Sequence, residues 1–93
     1  MYNLFETDEF LKSIEKLQEN DKSLIKNKLN SYVYPQLTSE PHFGTNIKKL
    51  KGVSTDTWPY RIGNYRIFYT IDENNSLVML LVVENRAKAY RKN

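Results

Sequence analysis

The chain has 93 residues, 40% of them hydrophobic and 13% aromatic, enough for one domain with a small core and too apolar for a disordered chain. Without cysteine it has no disulfide framework and no thiolate metal site. The net charge of +3 is uneven: residues 1–45 carry five lysines against seven acids, a net −2, and residues 46–93 carry nine basic residues against four acids, a net +5. All four arginines, Arg61, Arg66, Arg86 and Arg91, lie in the second half. Such a half suits an anionic partner, nucleic acid being the commonest, or is plain solubilising charge.

The start, MYNLFETDEF, lacks the basic opening and apolar run of a signal peptide. The longest apolar run, Leu77 to Val83, is seven residues and too short to cross a bilayer. The expectation is a cytoplasmic protein with no membrane partner. Tyr2-Asn-Leu-Phe5 reads as a first strand. Thr7 or Asp8 then caps a helix with Phe10, Leu11, Ile14 and Leu17 on one face. Asn20-Asp21 is expected to break this helix and cap a second, where Leu24, Ile25, Leu29, Tyr32 and Val33 repeat the period until Pro35 stops it. The two form an antiparallel helical hairpin, with Lys12, Lys16, Lys22, Lys26 and Lys28 mostly on its solvated face.

Residues 35–46, PQLTSEPHFGTN, read as a loop. It holds the only histidine, His42, which without a second ligand nearby does not suggest a metal site. Next comes IKKLKG, placing Lys48, Lys49 and Lys51 on a strand before the hairpin, Lys49 and Lys51 on one face. WPYRI-GN-YRIFYTID follows, then a turn at Asp72-Glu-Asn-Asn75 and the run SLVMLLVVENR. That run is apolar on both pleat faces, the pattern of a central strand covered on both sides. The fold class is therefore α+β in the order β-α-α-β-β-β, a twisted, mainly antiparallel sheet with a helical hairpin packed on one face.

Gly63-Asn64 is a two-residue turn signal. If it closes the hairpin, Ile62 pairs with Tyr65, Arg61 with Arg66, Tyr60 with Ile67 and Trp58 with Tyr69. Alternation sends Trp58, Tyr60, Ile62, Tyr65, Ile67, Tyr69 and Ile71 to the core and sets Arg61 opposite Arg66 on the other face. Like charges in that position cost roughly 0.2–1 kcal/mol. The pair makes sense if it grips a polyanion, because guanidinium forks match phosphate oxygens; otherwise both side chains splay into water, or Glu84 or Asp56 neutralises them. Arg86 ends the last strand beside the hairpin, and Tyr90 follows four residues on, a phenol that neighbouring cations help to ionise. Arginines, lysines and a tyrosine without an acid pair suggest phosphodiester chemistry. No nucleophile–histidine–acid triad, Gly-rich phosphate loop or metal cluster is recognisable.

These residues resemble the RelE/ParE superfamily of toxins of type II toxin–antitoxin systems, over nearly the whole chain. The resemblance is carried by F-x-x-x-EF-x-K-x-x-x-KL in Phe5 to Leu17, KLKG in 49–52, YRIGNYRIFY in 60–69 and NRAKAYR in 85–91. It implies the RelE-like branch, whose last strand ends in an arginine soon followed by a tyrosine, as Arg86 and Tyr90 stand here. By position Arg66 is similar to the family's hairpin arginine, and Arg61 occupies a place that is lysine or arginine in relatives. One departure stands out: relatives carry a further lysine on the strand where this chain has Trp58-Pro-Tyr60, leaving Lys49 or Lys51 to supply that charge.

The implied activity is an endoribonuclease, an mRNA interferase without metal or other cofactor, cutting mRNA on the ribosome and stopping translation. The RNA's 2′-hydroxyl is the nucleophile, and a 2′,3′-cyclic phosphate is left. Arg61, Arg66, Arg86 and Tyr90 are the implied catalytic set, with Lys49, Lys51 and Arg91 binding RNA. The implied protein partner is a cognate antitoxin. The alternatives are a ParE-like inhibitor of DNA gyrase and a non-catalytic relative that binds only nucleic acid or antitoxin.

Overall fold

In a computed structural model of the chain, which describes residues 1–47 and 57–85, strand β1 spans Asn3–Glu6 and leads at once into helix α1, Asp8–Glu15. Thr7 makes the junction. Its extended backbone and its Oγ1, which accepts from the Phe10 N–H at 3.1 Å, cap the helix, while the same hydroxyl donates to the Leu80 carbonyl at 2.7 Å. One residue thus ends the strand, starts the helix and ties both to the central strand.

The second helix begins earlier and ends later than its sequence suggests. Helix α2 is Glu19–Lys28 with Gln18 at its cap, so Asn20 and Asp21 lie within the first turn and do not cap it. Acids at Glu19 and Asp21 still suit that end, where the helix dipole is positive. Pro35 does not stop the helix either. A π-helical turn, Leu29–Val33, precedes helix α3, Tyr34–Ser39, and the Tyr34 N–H reaches five residues back to the Leu29 carbonyl. Pro35 falls in the first turn of α3, where the widened winding accommodates a residue with no N–H to donate. The chain leaves the helix at Glu40, extended at φ −152° and ψ 96° because Pro41 follows. Much of the expected 35–46 loop is therefore helix.

The sheet comprises β1, β2 (Trp58–Ile62), β3 (Tyr65–Asp72) and β4 (Leu77–Asn85) in the order β1-β4-β3-β2. Among the described strands only the β1–β4 pairing is parallel. The hairpin register is the expected one, from Ile62↔Tyr65 to Trp58↔Tyr69. Gly63 takes φ +54°. Asn64, with an ordinary φ, completes a turn of the type II′ pattern.

Helices and sheet share one core. Phe10, Ile14, Ile25, Leu29, Val33 and Leu37 pack against Tyr60, Ile62, Tyr65, Ile67, Tyr69, Val78, Leu80 and Val83. Each fully buried large side chain contributes about 1.5–3 kcal/mol. Leu11, Leu24 and Tyr32, expected on the packed faces, are instead exposed, at 42%, 47% and 59%. The buried stripe of the second helix is the narrower series Ile25, Leu29, Val33, Leu37.

β4 is central in the sheet, but the described helices cover only one of its faces. Val78, Leu80 and Val83 are buried there, and Met79, Leu81 and Val82 are only partly covered on the other. The register shift between Phe68 and Tyr69 leaves Leu81 without a β3 partner, which is why the buried series steps by three from Leu80 to Val83. An apolar run on both faces here reflects a bulge and a face that the described helices leave uncovered.

Candidate functional site

The face that the described helices leave uncovered, the arginine face, is built by strict alternation along the hairpin. Since Tyr60, Ile62, Tyr65 and Ile67 point into the core, Pro59, Arg61, Arg66 and Phe68 point away from it. Arg61 pairs with Arg66, and Arg66 in turn pairs with Glu84 on β4, giving a row of two cations and an exposed acid across three strands. The adjoining row is Pro59, Phe68 and Val82.

The backbone sets the spacing within the first row. The Arg61 N–H donates outward, to the Asn46 carbonyl at 2.9 Å, so it takes no part in a bond to β3. Arg61 and Arg66 are therefore a non-hydrogen-bonded pair, the closer kind, with Cα atoms about 4.5 Å apart. Arg66 and Glu84 form the wider kind, about 5.5 Å. Both arginines are partly buried. Pro59 is tolerated because, like Arg61 two residues on, it directs its backbone N away from β3, so its missing N–H costs no hydrogen bond of the hairpin.

The hairpin is anchored from behind. The Tyr65 hydroxyl donates to the Asp21 carboxylate at 2.7 Å, joining the residue before Arg66 to the first turn of α2. Burial, then Asp21, raises the pKa of this phenol. Tyr69, deeper in the core, donates to the Pro41 carbonyl at 2.7 Å, and burial raises its pKa strongly.

A second polar cluster, which the sequence reading passed over, sits by the start of β2. His42 Nδ1 lies 2.9 Å from Glu40 Oε2, and its Nε2 meets Glu73 Oε2. The Tyr2 hydroxyl donates to Glu73 Oε1 at 2.8 Å, and the Trp58 ring stands edge-on to the imidazole at 5.5 Å. Glu73 and Glu40 raise the His42 pKa against partial burial, and His42 lowers both of theirs. Glu40, two residues before His42, was the available signal. Glu73 is distant in sequence and was not. Among the described residues no group of His, Asp and Glu is arranged to hold a metal ion.

Of the residues singled out in the sequence, Arg61 and Arg66 are together as expected. Lys48, Lys49, Lys51, Arg86, Tyr90 and Arg91 lie outside the described residues. Trp58 is half-buried, its ring near-parallel to that of Tyr69 at 6.4 Å.

The family model for the ParE toxin of the type II toxin–antitoxin system parDE matches residues 5–90. The chain belongs to the RelE/ParE superfamily of type II toxins. Among solved structures, this toxin is similar to a chain of the toxin–antitoxin complex RelBE2 from Mycobacterium tuberculosis, with 26% identity, TM-score 0.69 and 92% of each chain covered. It also shares its fold with a chain of the intact E. coli RelBE complex, at 23% identity and TM-score 0.63, covering 91% of this chain and 96% of that one. A third likeness is to a chain of the RelB–RelE complex from Methanococcus jannaschii, at 21% identity and TM-score 0.63, covering 92% and 94%. No curated protein sequence matches. No helix among the described residues is long and apolar enough to cross a membrane.

Proposed function

We propose that this toxin is an endoribonuclease that cuts mRNA, with the scissile phosphate lying over Arg61 and Arg66. The observation that supports this reading is the close pairing of those two arginines on the face away from the described helices, a like-charge contact that phosphate binding would relieve. In the proposed reaction the 2′-hydroxyl loses its proton to a base on the enzyme and its oxygen bonds to phosphorus. The P–O5′ bond then breaks and the O5′ takes up a proton, leaving a 2′,3′-cyclic phosphate and a 5′-hydroxyl. Arg61, Arg66 and Arg86 would stabilise the crowded phosphorane, each such donor being worth ~10²–10³ in rate. Tyr90 or one of Lys49 and Lys51 would move the proton, worth ~10²–10⁴. Arg91 and the remaining lysines would hold the RNA backbone, and a ribosome would fix the message in place. The nucleophile belongs to the substrate, so the proposed chemistry needs no metal-activated water, and the arginines supply the charge that a metal would otherwise bring to the phosphorane.

The partners follow from the same reading. A cytoplasmic nuclease of this kind needs a cognate antitoxin, and the solved relatives include complexes of toxin with antitoxin. An acidic antitoxin segment would be steered to the half of charge +5, over the arginine face.

The match to the ParE model favours a second reading, inhibition of DNA gyrase. Primer extension on cellular messages after induction separates the two. Discrete cuts with cyclic phosphate ends support the ribonuclease; intact messages with DNA-damage signalling would establish the gyrase poison. Salt-sensitive RNA binding without cuts would leave a non-catalytic relative.

A further inference from the structure

The geometry points to Phe68 as the platform on which an RNA base stacks while its neighbouring phosphate is held by Arg61 and Arg66. This inference rests on the ribonuclease reading above. Phe68 lies two residues beyond Arg66 on β3 and on the same face, so their Cα atoms are about 6.8 Å apart along the strand. It is partly exposed, although an aromatic ring in a core this small would gain more by burial. Its register neighbours are Pro59 and Val82, so the ring stands in an apolar row with no carboxylate to repel a nucleotide. Beside it runs the row Arg61–Arg66–Glu84, with its two cations on the hairpin and its acid on β4.

Cations and an apolar ring on adjacent rows meet the two halves of a nucleotide, phosphate on one side and base on the other. Every base has a π-face, so stacking on Phe68 would be tolerant of sequence, and would hold the sugar between the two rows. Phe5, the other phenylalanine on this face, lies on β1, two strands from β3 and about 9.6 Å to the side. It serves as a control.

The test is binding of an uncleavable 2′-O-methyl RNA oligomer carrying 2-aminopurine at each position in turn, read by fluorescence at several salt concentrations. Wild type should quench at least one probe position. Phe68→Leu, which keeps apolar bulk without the ring, should lose that quenching and bind about tenfold more weakly. Its dependence of log K on log salt should stay unchanged, and Phe68→Tyr should restore the quenching. Arg61→Ala should instead lower the salt slope by about 0.7, and Phe5→Leu should behave as wild type. Quenching and affinity unaltered in Phe68→Leu would overturn the stacking role alone. A wild type that binds no RNA oligomer at all would overturn the stacking role, while the ribonuclease reading stands or falls separately on primer extension after induction.

Discussion

Arg61 and Arg66 face each other at the closer of the two antiparallel spacings, because the Arg61 N–H is turned outward to Asn46. A first prediction separates what this pair does for stability from what it does for activity. Arg61→Thr should leave the melting temperature unchanged or raise it, by the equivalent of roughly 0.2–1 kcal/mol, since it removes a like-charge pair. The same substitution should relieve growth arrest on induction. A variant that melts lower and stays toxic would show that the pair serves the fold.

Tyr65→Phe tests the anchor behind the arginines. It removes one hydrogen bond to a charged partner in a partly buried place and should cost about 1.5–3 kcal/mol, measured by denaturant unfolding. Combined with Asp21→Ala, the loss should be clearly less than the sum of the two single losses. Additive losses would show that the two groups do not interact in solution.

The His42 cluster predicts a pH window. His42 titrates higher in the folded protein than in the unfolded one, so its contribution is full below the free imidazole value of about 6.5 and is lost as pH rises through the raised value. Glu40 and Glu73 titrate lower when folded, so theirs is full above the ordinary carboxylate range and is lost as pH falls through the lowered values. The groups facing His42 are these two acids, with Tyr2 hydrogen-bonded to Glu73. The gap in melting temperature between wild type and His42→Gln should therefore be widest near pH 5–6 and close towards alkaline pH. A constant gap from pH 5 to 9 would contradict it.

Gly63→Ala should cost about 1 kcal/mol through conformation alone, because φ is +54° and an added methyl meets no atom within 4 Å. Gly63→Asn should cost less, asparagine being the residue that best tolerates this region. Equal losses for the two, in thermal melts, would point to a steric cause.

Period-two alternation around a Gly-Asn turn gives the whole hairpin register, and with it the opposed arginines, because a two-residue loop admits one pairing and a buried face fixes its phase. The capping hydroxyl of Thr7 was visible for the same local reason. The π-turn was not: an i→i+5 winding leaves no mark in composition, and Pro35 looked like an end because a helix of uniform pitch would have ended there. The same alternation sends Phe68 to the arginine face, but nothing in the pattern distinguishes a ring that meets a ligand from one that meets solvent. The His42–Glu73 contact joins residues 31 apart through a fold that local patterns do not contain.

The π-turn has a consequence for how the second helix meets the sheet. Ile25, Leu29, Val33 and Leu37 recur every four residues, whereas an α-helix turns every 3.6, so a uniform helix would drift about 40° at each step and about 120° from first to last. One extra residue in the widened turn takes back about 100° of that rotation. The π-turn thus acts as a phase correction. It lets a four-residue repeat stay in line over three turns: the same residues wound as a uniform α-helix would carry Leu37 about 120° away from the core, whereas deleting a single residue between Leu29 and Val33 would leave a uniform helix with Leu37 only about 20° out of line.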